Sequence, residues 1–242
     1  MKISVVMASY NGQKYILDQI QSILSQLRDG EELIISDDGS TDKTVDLINK
    51  IKDDRIKLVF GPSKGVIKNF EFAIKKAENE IIVLSDQDDV WINNRLEKIR
   101  NEFMGINNSL VYISNYELID NNGEKINIKN STFHKGIIRN LVKNSYVGAL
   151  MAFSSELRTD IIPFPKKIAM HDQWIGLMNE IKGGHIFYSK SVEVQYRRHD
   201  SNLTGRNKKL TNVVKIRNRI NMTKFIIERV VKRRYLLKWF RV

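Results

Sequence analysis

The sequence has no cysteine, which excludes disulfides and thiolate metal sites and suits a reducing compartment. It has three prolines, two of them in Pro163-Phe164-Pro165, so little outside that stretch is barred from helix or strand. No apolar run approaches the roughly 18 residues that a membrane span requires, and Met1-Lys2-Ile3-Ser4-Val5-Val6-Met7 is too short for a signal peptide. The expectation is a protein neither exported nor membrane-spanning. Acid is scarce at one end: from Arg206 onward about thirteen Lys and Arg face a single acid, Glu228. The net charge of +12 therefore belongs mostly to this tail. Zinc-finger spacing, an RRM-type aromatic motif and a helix-turn-helix are all missing, which makes nucleic acid the weaker partner for that charge. The P-loop lysine motif and the Gly-rich dinucleotide fingerprint are absent as well, arguing against an ordinary NTPase or a nicotinamide enzyme.

What is present reads as an α/β chain. At 242 residues it suits one domain, or one domain with an appendage, and buries a full core. Ile3 to Met7 is a strand, Ala8-Ser9-Tyr10-Asn11-Gly12 its turn, and Tyr15, Ile16, Gln19, Ile20, Ile23 and Leu27 recur at helical spacing. A second strand, Leu33 to Ile35, ends in Ser36-Asp37-Asp38-Gly39-Ser40-Thr41-Asp42. Ser40 or Thr41 is positioned to cap the next helix, marked by Val45, Leu47, Ile48 and Ile51, with Asp42 in its first turn. Ile56 to Phe60 and Ile81 to Leu84 are strands on either side of a helix carrying Val66, Ile67, Phe70, Ile74 and Ala77. Strand and helix alternate at a spacing of about 24 residues, which predicts βαβ units and a mainly parallel sheet.

The fourth strand runs directly into Ser85-Asp86-Gln87-Asp88-Asp89-Val90-Trp91, an acidic loop at a strand's carboxyl end, where open α/β sheets bind ligands. Asp86 and Asp88, two apart on an extended segment, point the same way and suit one hard cation or one polar ligand. Mg²⁺ or Mn²⁺ held by one or two carboxylates completes its shell from water and substrate phosphates, which implies a nucleotide-diphosphate site. A calcium loop is rejected: acids fall at the first and third positions and Glu97 at the twelfth, but Val90 and Trp91 replace the fifth ligand and the obligatory glycine. The plain alternative is an acidic turn capping the helix near Asn93 to Phe103.

Beyond Phe103 the alternation weakens. Leu110 to Ser114 reads as a strand, and Asp120-Asn121-Asn122-Gly123 as a turn joining two antiparallel segments. Tyr146 to Phe153 is strand-like, and Ile161 to Pro165 a loop. After Met170-His171-Asp172 a helix from Gln173 to Ile181 ends at Gly183-Gly184. His185 to Tyr188 and Val192 to Tyr196 read as two strands, followed by a polar loop from Arg197 to Gly205. In the tail, Val213-Ile216-Ile220 and Ile227-Val230-Val231 keep helical spacing in runs too broken to cross a bilayer. Such a helix lies on an anionic membrane surface, or packs on the domain or on a second subunit.

Three ordered motifs, Val6-Met7-Ala8-Ser9-Tyr10-Asn11-Gly12, Asp37-Asp38-Gly39-Ser40-Thr41-Asp42 and Ser85 to Trp91, carry a resemblance to the family 2 inverting glycosyltransferases of the GT-A fold, over roughly residues 1 to 205. Gln87 and Trp91 make the last motif similar to the rhamnosyltransferase-like branch that builds bacterial surface polysaccharides. The resemblance implies a Rossmann-like, mainly parallel sheet flanked by helices, with a nucleotide-sugar-binding half over 1–105 and a smaller mixed acceptor-side and catalytic half over 106–205. The basic helical tail, 206–242, lies outside it. It implies transfer of a sugar, rhamnose on that branch's pattern, from a dTDP- or UDP-linked donor to a hydroxyl of a glycan or lipid-linked glycan, with Mn²⁺ or Mg²⁺ as cofactor. Carried over by residue, Tyr10 and Asp38 fall where the family contacts the base and ribose of the donor. Ala8, Asn11 and Gln87 join them in the substrate-binding motifs. Asp86 falls at the ribose or metal, and Asp88 at the metal. Asp172 falls at the general base, with His171 as the alternative. Arg197 and Arg198 lie in a loop over the diphosphate, with His199 a metal ligand.

The chemistry wants these residue types. A cation neutralises charge that develops on the departing diphosphate, and the acceptor hydroxyl must lose its proton to a positioned carboxylate or histidine. Plain alternatives stand beside each: turn chemistry for Tyr10-Asn11-Gly12 and Asp38-Gly39, a helix N-cap for Asp172, a solvated basic loop for Arg197 to His199. Two rival functions remain. A nucleotidyltransferase shares the sheet and the aspartates but needs a Gly- and Arg-rich loop near the amino end, which is missing. A non-catalytic module holding anionic membrane or nucleic acid through the tail leaves the domain's carboxylates unexplained. The expected location is cytoplasmic, or peripheral on the inner face of the plasma membrane, with a homodimer possible.

Overall fold

The computed structural model describes residues 1–128, 132–199 and 211–239. Residues 200–205 of the expected polar loop, the start of the tail to residue 210 and its end from residue 240 lie outside them. The first half comprises β1 (Ile3–Ser9), α1 (Ile16–Leu24), β2 (Glu32–Asp37), α2 (Thr44–Asn49), β3 (Ile56–Phe60), α3 (Val66–Lys76) and β4 (Ile81–Asp86). β1 pairs in parallel with β2 and β4, and β2 with β3. β1 and β2 are buried at every residue and β4 as far as Ser85, so both faces are covered; this is why these strands read as unbroken apolar runs. α1 and α2 carry the chain from β1 outward to β3, and α3 returns it to β4 on the other side of β1. Right-handed crossovers then put α3 on the opposite face from α1 and α2. The reversal makes the gap between β1 and β4 a topological switch point, where ligand crevices form at the strands' carboxyl ends.

The second half extends the same sheet. It comprises β5 (Val90–Trp91), α4 (Arg95–Phe103), β6 (Leu110–Ile119), β7 (Lys125–Ile126), α5 (Ile137–Val142), β8 (Met151–Ser154), α6 (Arg158–Ile161), α7 (His171–Ile181) and β9 (His185–Arg197). The order across the sheet is β3-β2-β1-β4-β8-β6-β9-β5. β8 runs antiparallel between β4 and β6, β6 is parallel to β9, and β5 is antiparallel to β9. The Asp120 turn joins β6 to antiparallel β7 as read, its carboxylate accepting the N–H groups of Asn122 and Glu124 at 2.8 and 2.9 Å.

Several local expectations change. The strand expected over Tyr146 to Phe153 is confined to Met151–Ser154, because Gly148–Leu150 winds into a 3-10 turn against His171. The two strands expected at His185 to Tyr188 and Val192 to Tyr196 are one, β9, whose register on β6 shifts around Asn115; a bulge absorbs the polar residues that broke the apolar pattern. Neither Ser40 nor Thr41 caps α2; Asp42, just outside that helix, accepts the Thr44 N–H at 2.9 Å instead. The acidic loop does not cap α4, since β5 intervenes and Asn94, at φ 69°, precedes the helix without a side-chain bond. α7 begins at His171 with Met170 in the cap position, so Asp172 sits in the first turn and is not the N-cap.

The tail forms α8 (Asn212–Trp239), which packs on the domain. Met222 is buried, and Phe225 and Ile226 lie against the core. Arg229 reaches under α6, donating to the carbonyls of Asp160, Ile162 and Pro163 with its guanidinium 5.4 Å from the Trp174 ring. Among the described residues, no helix is long and apolar enough to cross a membrane.

Candidate active site

Strand register brings the motifs together. Ala8 is level with Ser36 on one side and Asp86 on the other, and Ser9 with Asp37, so the chain leaves three neighbouring strands at one height. Side chains then lock the three turns to one another. Asn11, at φ 49°, donates its N–H to Ser40 Oγ at 2.8 Å, and its Oδ1 accepts the Thr41 N–H at 2.8 Å. The Gln87 amide clips Tyr10, accepting its N–H and donating to its carbonyl, both at 2.9 Å. Beneath them Asp37 is buried and accepts from Ser9 Oγ, Ser40 Oγ and the N–H groups of Gly39 and Ser40 at 2.6 to 3.1 Å. Asp38 accepts the Gly65 N–H at 2.7 Å, at the start of α3. Ala8 lies at the base of this rim, and Tyr10 projects from it, 57% exposed. Asn11, Asp38 and Gln87 thus hold the rim's shape, and Tyr10 is the side chain it presents.

Gly12 is required by this arrangement, because a Cβ there would lie 2.2 Å from Gln87 Oε1. Gly12→Ala is expected to displace the Gln87 clip while the sheet survives. Nucleotide Kd should rise by roughly tenfold, the equivalent of about one lost hydrogen bond, with little change in the thermal midpoint. Calorimetric titration with UDP and dTDP reads this; an unchanged Kd would mean that the clip does not shape the site.

The acidic loop closes the other side. Ligand atoms of Asp86, Asp88 and Asp89 lie within 4.8 Å of one another. Burial first, then the charges of Asp88 and Asp172, push Asp86 up to about 7. Burial, then Asp88 and Asp86, hold Asp89 well above the usual carboxylate range. Carboxylates that oppose one another's ionisation are the donor set that a hard divalent cation relieves. Asp89 Oδ1 accepts the Arg197 N–H at 2.9 Å, while its Oδ2 is buried without a hydrogen-bond partner among the described residues, a further sign that the cluster fits a cation. Asp89 escaped the sequence reading, although its place beside Asp88 was the available signal.

The end of β9 lies over this loop. His199 Nε2 is 2.7 Å from Asp88 Oδ2, and its ring centroid is 5.1 Å from that of Tyr15. Arg197 is buried; its guanidinium stacks 4.7 Å from the Tyr15 ring, and its Nε donates to the Asp88 carbonyl at 2.9 Å. Arg197 thereby steadies the acidic loop. Arg198 lies 5.3 Å from the Tyr196 ring. Tyr15, read from periodicity only as part of a helix face, is the platform under Arg197 and His199.

α7 supplies the last group. Asp172 is 3% exposed; its Oδ2 accepts the Gly148 N–H at 3.1 Å, and its Oδ1 faces the Asn144 amide at 3.4 Å. Burial dominates and raises its pKa to about 6 in spite of these bonds, and its charge is felt at Asp86. Such a carboxylate is ionised near neutrality yet a better proton acceptor than an ordinary aspartate. The neighbouring His171 stacks on Phe70 with centroids 4.3 Å apart, and neither ring nitrogen has a hydrogen-bond partner among the described residues. Burial pushes its pKa down to about 3, so basicity favours Asp172 over His171.

Residues 4–162 match the model of the family described as Glycosyl transferase family 2, well over half of the 242 residues. UDP-Glc:alpha-D-GlcNAc-diphosphoundecaprenol beta-1,3-glucosyltransferase WfgD of Escherichia coli is 33% identical over 167 residues, covering 67% of this chain and 64% of WfgD. WfaP of Escherichia coli, whose name carries the same activity, is 36% identical over 115 residues, covering 47% of this chain and 45% of WfaP. The chain thus spans about half to just under two thirds of the length of these curated relatives. Among solved structures, S. aureus TarS 1-349 in complex with UDP-GlcNAc superposes with a TM-score of 0.66 at 22% identity, covering 84% of this chain and 60% of that one, a likeness of fold. The matched model takes in the first and second motifs, the acidic loop and the strands from β1 to β8, and on that ground the chain belongs to glycosyl transferase family 2 and has its GT-A fold.

Proposed function

We propose that the enzyme moves a sugar from a nucleoside-diphosphate donor to a hydroxyl of a lipid-linked precursor of a bacterial surface polysaccharide, with inversion at the anomeric carbon. The observation that carries this is the convergence of the Tyr10 rim, the three-aspartate cluster and Asp172 on one strand edge at the switch point between β1 and β4. In this reading residues 1–105 bind the donor, with Tyr10 against the base and Asp38 bounding the ribose side, and residues 106–205 receive the acceptor. Asp86 and Asp88, with His199 beside them, would hold Mn²⁺ or Mg²⁺, which supplies charge neutralisation for the departing diphosphate. Asp172 takes the proton of the acceptor hydroxyl as its oxygen bonds to the anomeric carbon. The sugar–phosphate bond breaks on the opposite side, its electron pair leaving with the nucleoside diphosphate, and that single displacement inverts the centre. Arg197 steadies the acidic loop, and Arg198, next to it in the chain, would meet the diphosphate.

The names of WfgD and WfaP specify UDP-Glc and a diphosphoundecaprenol-linked acceptor, which supports a UDP-linked donor and a lipid carrier here. The case for rhamnose rests on Gln87 and Trp91. Gln87 is engaged by the Tyr10 backbone, and Trp91 is buried with Arg95 4.8 Å from its ring, so neither favours one sugar over another. An acceptor on a bilayer lipid puts the enzyme peripherally on the inner face of the plasma membrane. Release of nucleoside diphosphate from UDP-Glc, UDP-GlcNAc and dTDP-rhamnose, with polyprenyl-diphosphate-linked GlcNAc as acceptor, tests this. UDP release from one donor is expected, dependent on the acceptor and on Mn²⁺ or Mg²⁺. Release of dTDP alone would restore the rhamnose reading, release of sugar 1-phosphate would favour nucleotidyl transfer, and no release from any donor would leave a binding module.

A further inference from the structure

α8 carries two apolar faces on opposite sides. Met222, Phe225 and Ile226 turn to the domain, together with the stem of Arg229. Val213, Ile216, Ile220, Ile227 and Val231, at steps of three, four, seven and four, fall on the other side and are 44 to 75% exposed. The anchoring of the inner face fixes the roll of the helix, so the outer stripe is presented away from the domain. α5 adds to it: Ile138 and Val142 are 78% and 57% exposed, and Arg219 of α8 donates to the Val142 carbonyl at 2.6 Å, which sets the two helices side by side. Single exposed apolar residues are ordinary on any surface, but a set drawn from two helices that meet through Arg219 and Val142 marks a docking surface.

Charge selects what docks there. Arg139 of α5, Lys143 just past its end, and Arg217 and Lys224 of α8 are exposed beside the apolar residues, and α8 offers one acid, Glu228. A second copy applied through this face would set cation against cation, whereas anionic headgroups neutralise them while the apolar stripe enters the acyl boundary. We propose that α5 and α8 together form the surface by which the enzyme sits on an anionic bilayer. The inference rests on the reading that the acceptor is lipid-linked, and it adds an orientation. The chain leaves α5 directly into Asn144 to Gly148, the segment that hydrogen-bonds Asp172. Seating α5 on the membrane therefore holds the acceptor side of the site close to the headgroups.

The test uses the full chain with vesicles of phosphatidylcholine alone or mixed with phosphatidylglycerol. Each protein is also assayed for UDP release with a water-soluble acceptor analogue, which reports on the enzymatic reading independently of lipid. Wild type should sediment with the phosphatidylglycerol vesicles at low salt, be released at high salt, and ignore phosphatidylcholine. Ile216→Asp with Ile220→Asp, and separately Arg217→Glu with Lys224→Glu, should lower the partition coefficient by roughly tenfold or more, with UDP release in solution unchanged. Wild type that ignores anionic vesicles, or variants that bind as wild type does, would overturn the proposal. A wild-type dimer that the Ile216/Ile220 variant dissociates would assign the surface to a second copy. Failure of wild type to bind vesicles with UDP release intact sinks only the surface; absence of UDP release in wild type sinks the UDP-donor reading whatever the vesicles show.

Discussion

Asp88→Asn is expected to lower turnover by about a hundredfold or more, the scale on which removing one electrostatic stabiliser of a transition state acts. Asp88 is the hub of the acidic cluster. Its charge helps raise both Asp86 and Asp89, and its Oδ2 lies 2.7 Å from His199. Asparagine keeps the shape and an oxygen for the imidazole but removes the charge that a cation needs. Without a cation the loss relieves repulsion within the loop, so the thermal midpoint should hold or rise slightly while activity falls. The titration that decides it follows turnover against Mn²⁺ and Mg²⁺ concentration: the variant should need far more metal and saturate at a lower rate. A variant as active as wild type in chelator would remove the cation from the mechanism.

Asp172→Asn should leave donor binding intact and lower transfer by roughly 10²- to 10⁴-fold, the usual contribution of a positioned base. The amide oxygen still accepts the Gly148 N–H, so the first turn of α7 keeps its shape, but no proton is taken. The pH profile supplies the independent reading. The working form of Asp172 is the carboxylate, and burial raises its pKa to about 6. Wild-type kcat should therefore fall as pH drops through that value, or somewhat lower where a cation bound at the neighbouring cluster favours ionisation. The asparagine variant should lose this limb. If transfer in the variant stays near wild type, Asp172 serves only the turn and His171 becomes the base. Its pKa near 3 would then put the acid limb far lower, and the two profiles separate the cases.

The sequence alone determined the alternation of strand and helix through Asp86, the parallel pairing that follows from it, and the collection of three polar turns on one edge. These rest on local signals: unbroken β-branched runs, helical periodicity and turn residues report on the few residues around them, and crossover handedness does the rest. Even the acidic loop was legible, because a buried strand that runs straight into aspartates delivers them to the edge where such sheets bind ligands. Only the tertiary structure decided which atoms meet. That the ligand atoms of Asp89 join those of Asp86 and Asp88 depends on the curl of the loop, that Asp172 shares their field depends on where α7 docks, and Arg197 and His199 rest on Tyr15 because β9 reaches the acidic loop from about a hundred residues away, across a bulge that no periodicity announces. Gln87 and Trp91, read as marks of a donor sugar, are engaged by the domain itself: a backbone clip ties Gln87 to Tyr10, and the Trp91 ring is buried with Arg95 over it. The two faces of α8 follow the same logic. Apolar residues on opposite sides cancel in any measure of one-sidedness, and only the contacts of Met222 and Arg229 with the domain decide which face is left outside.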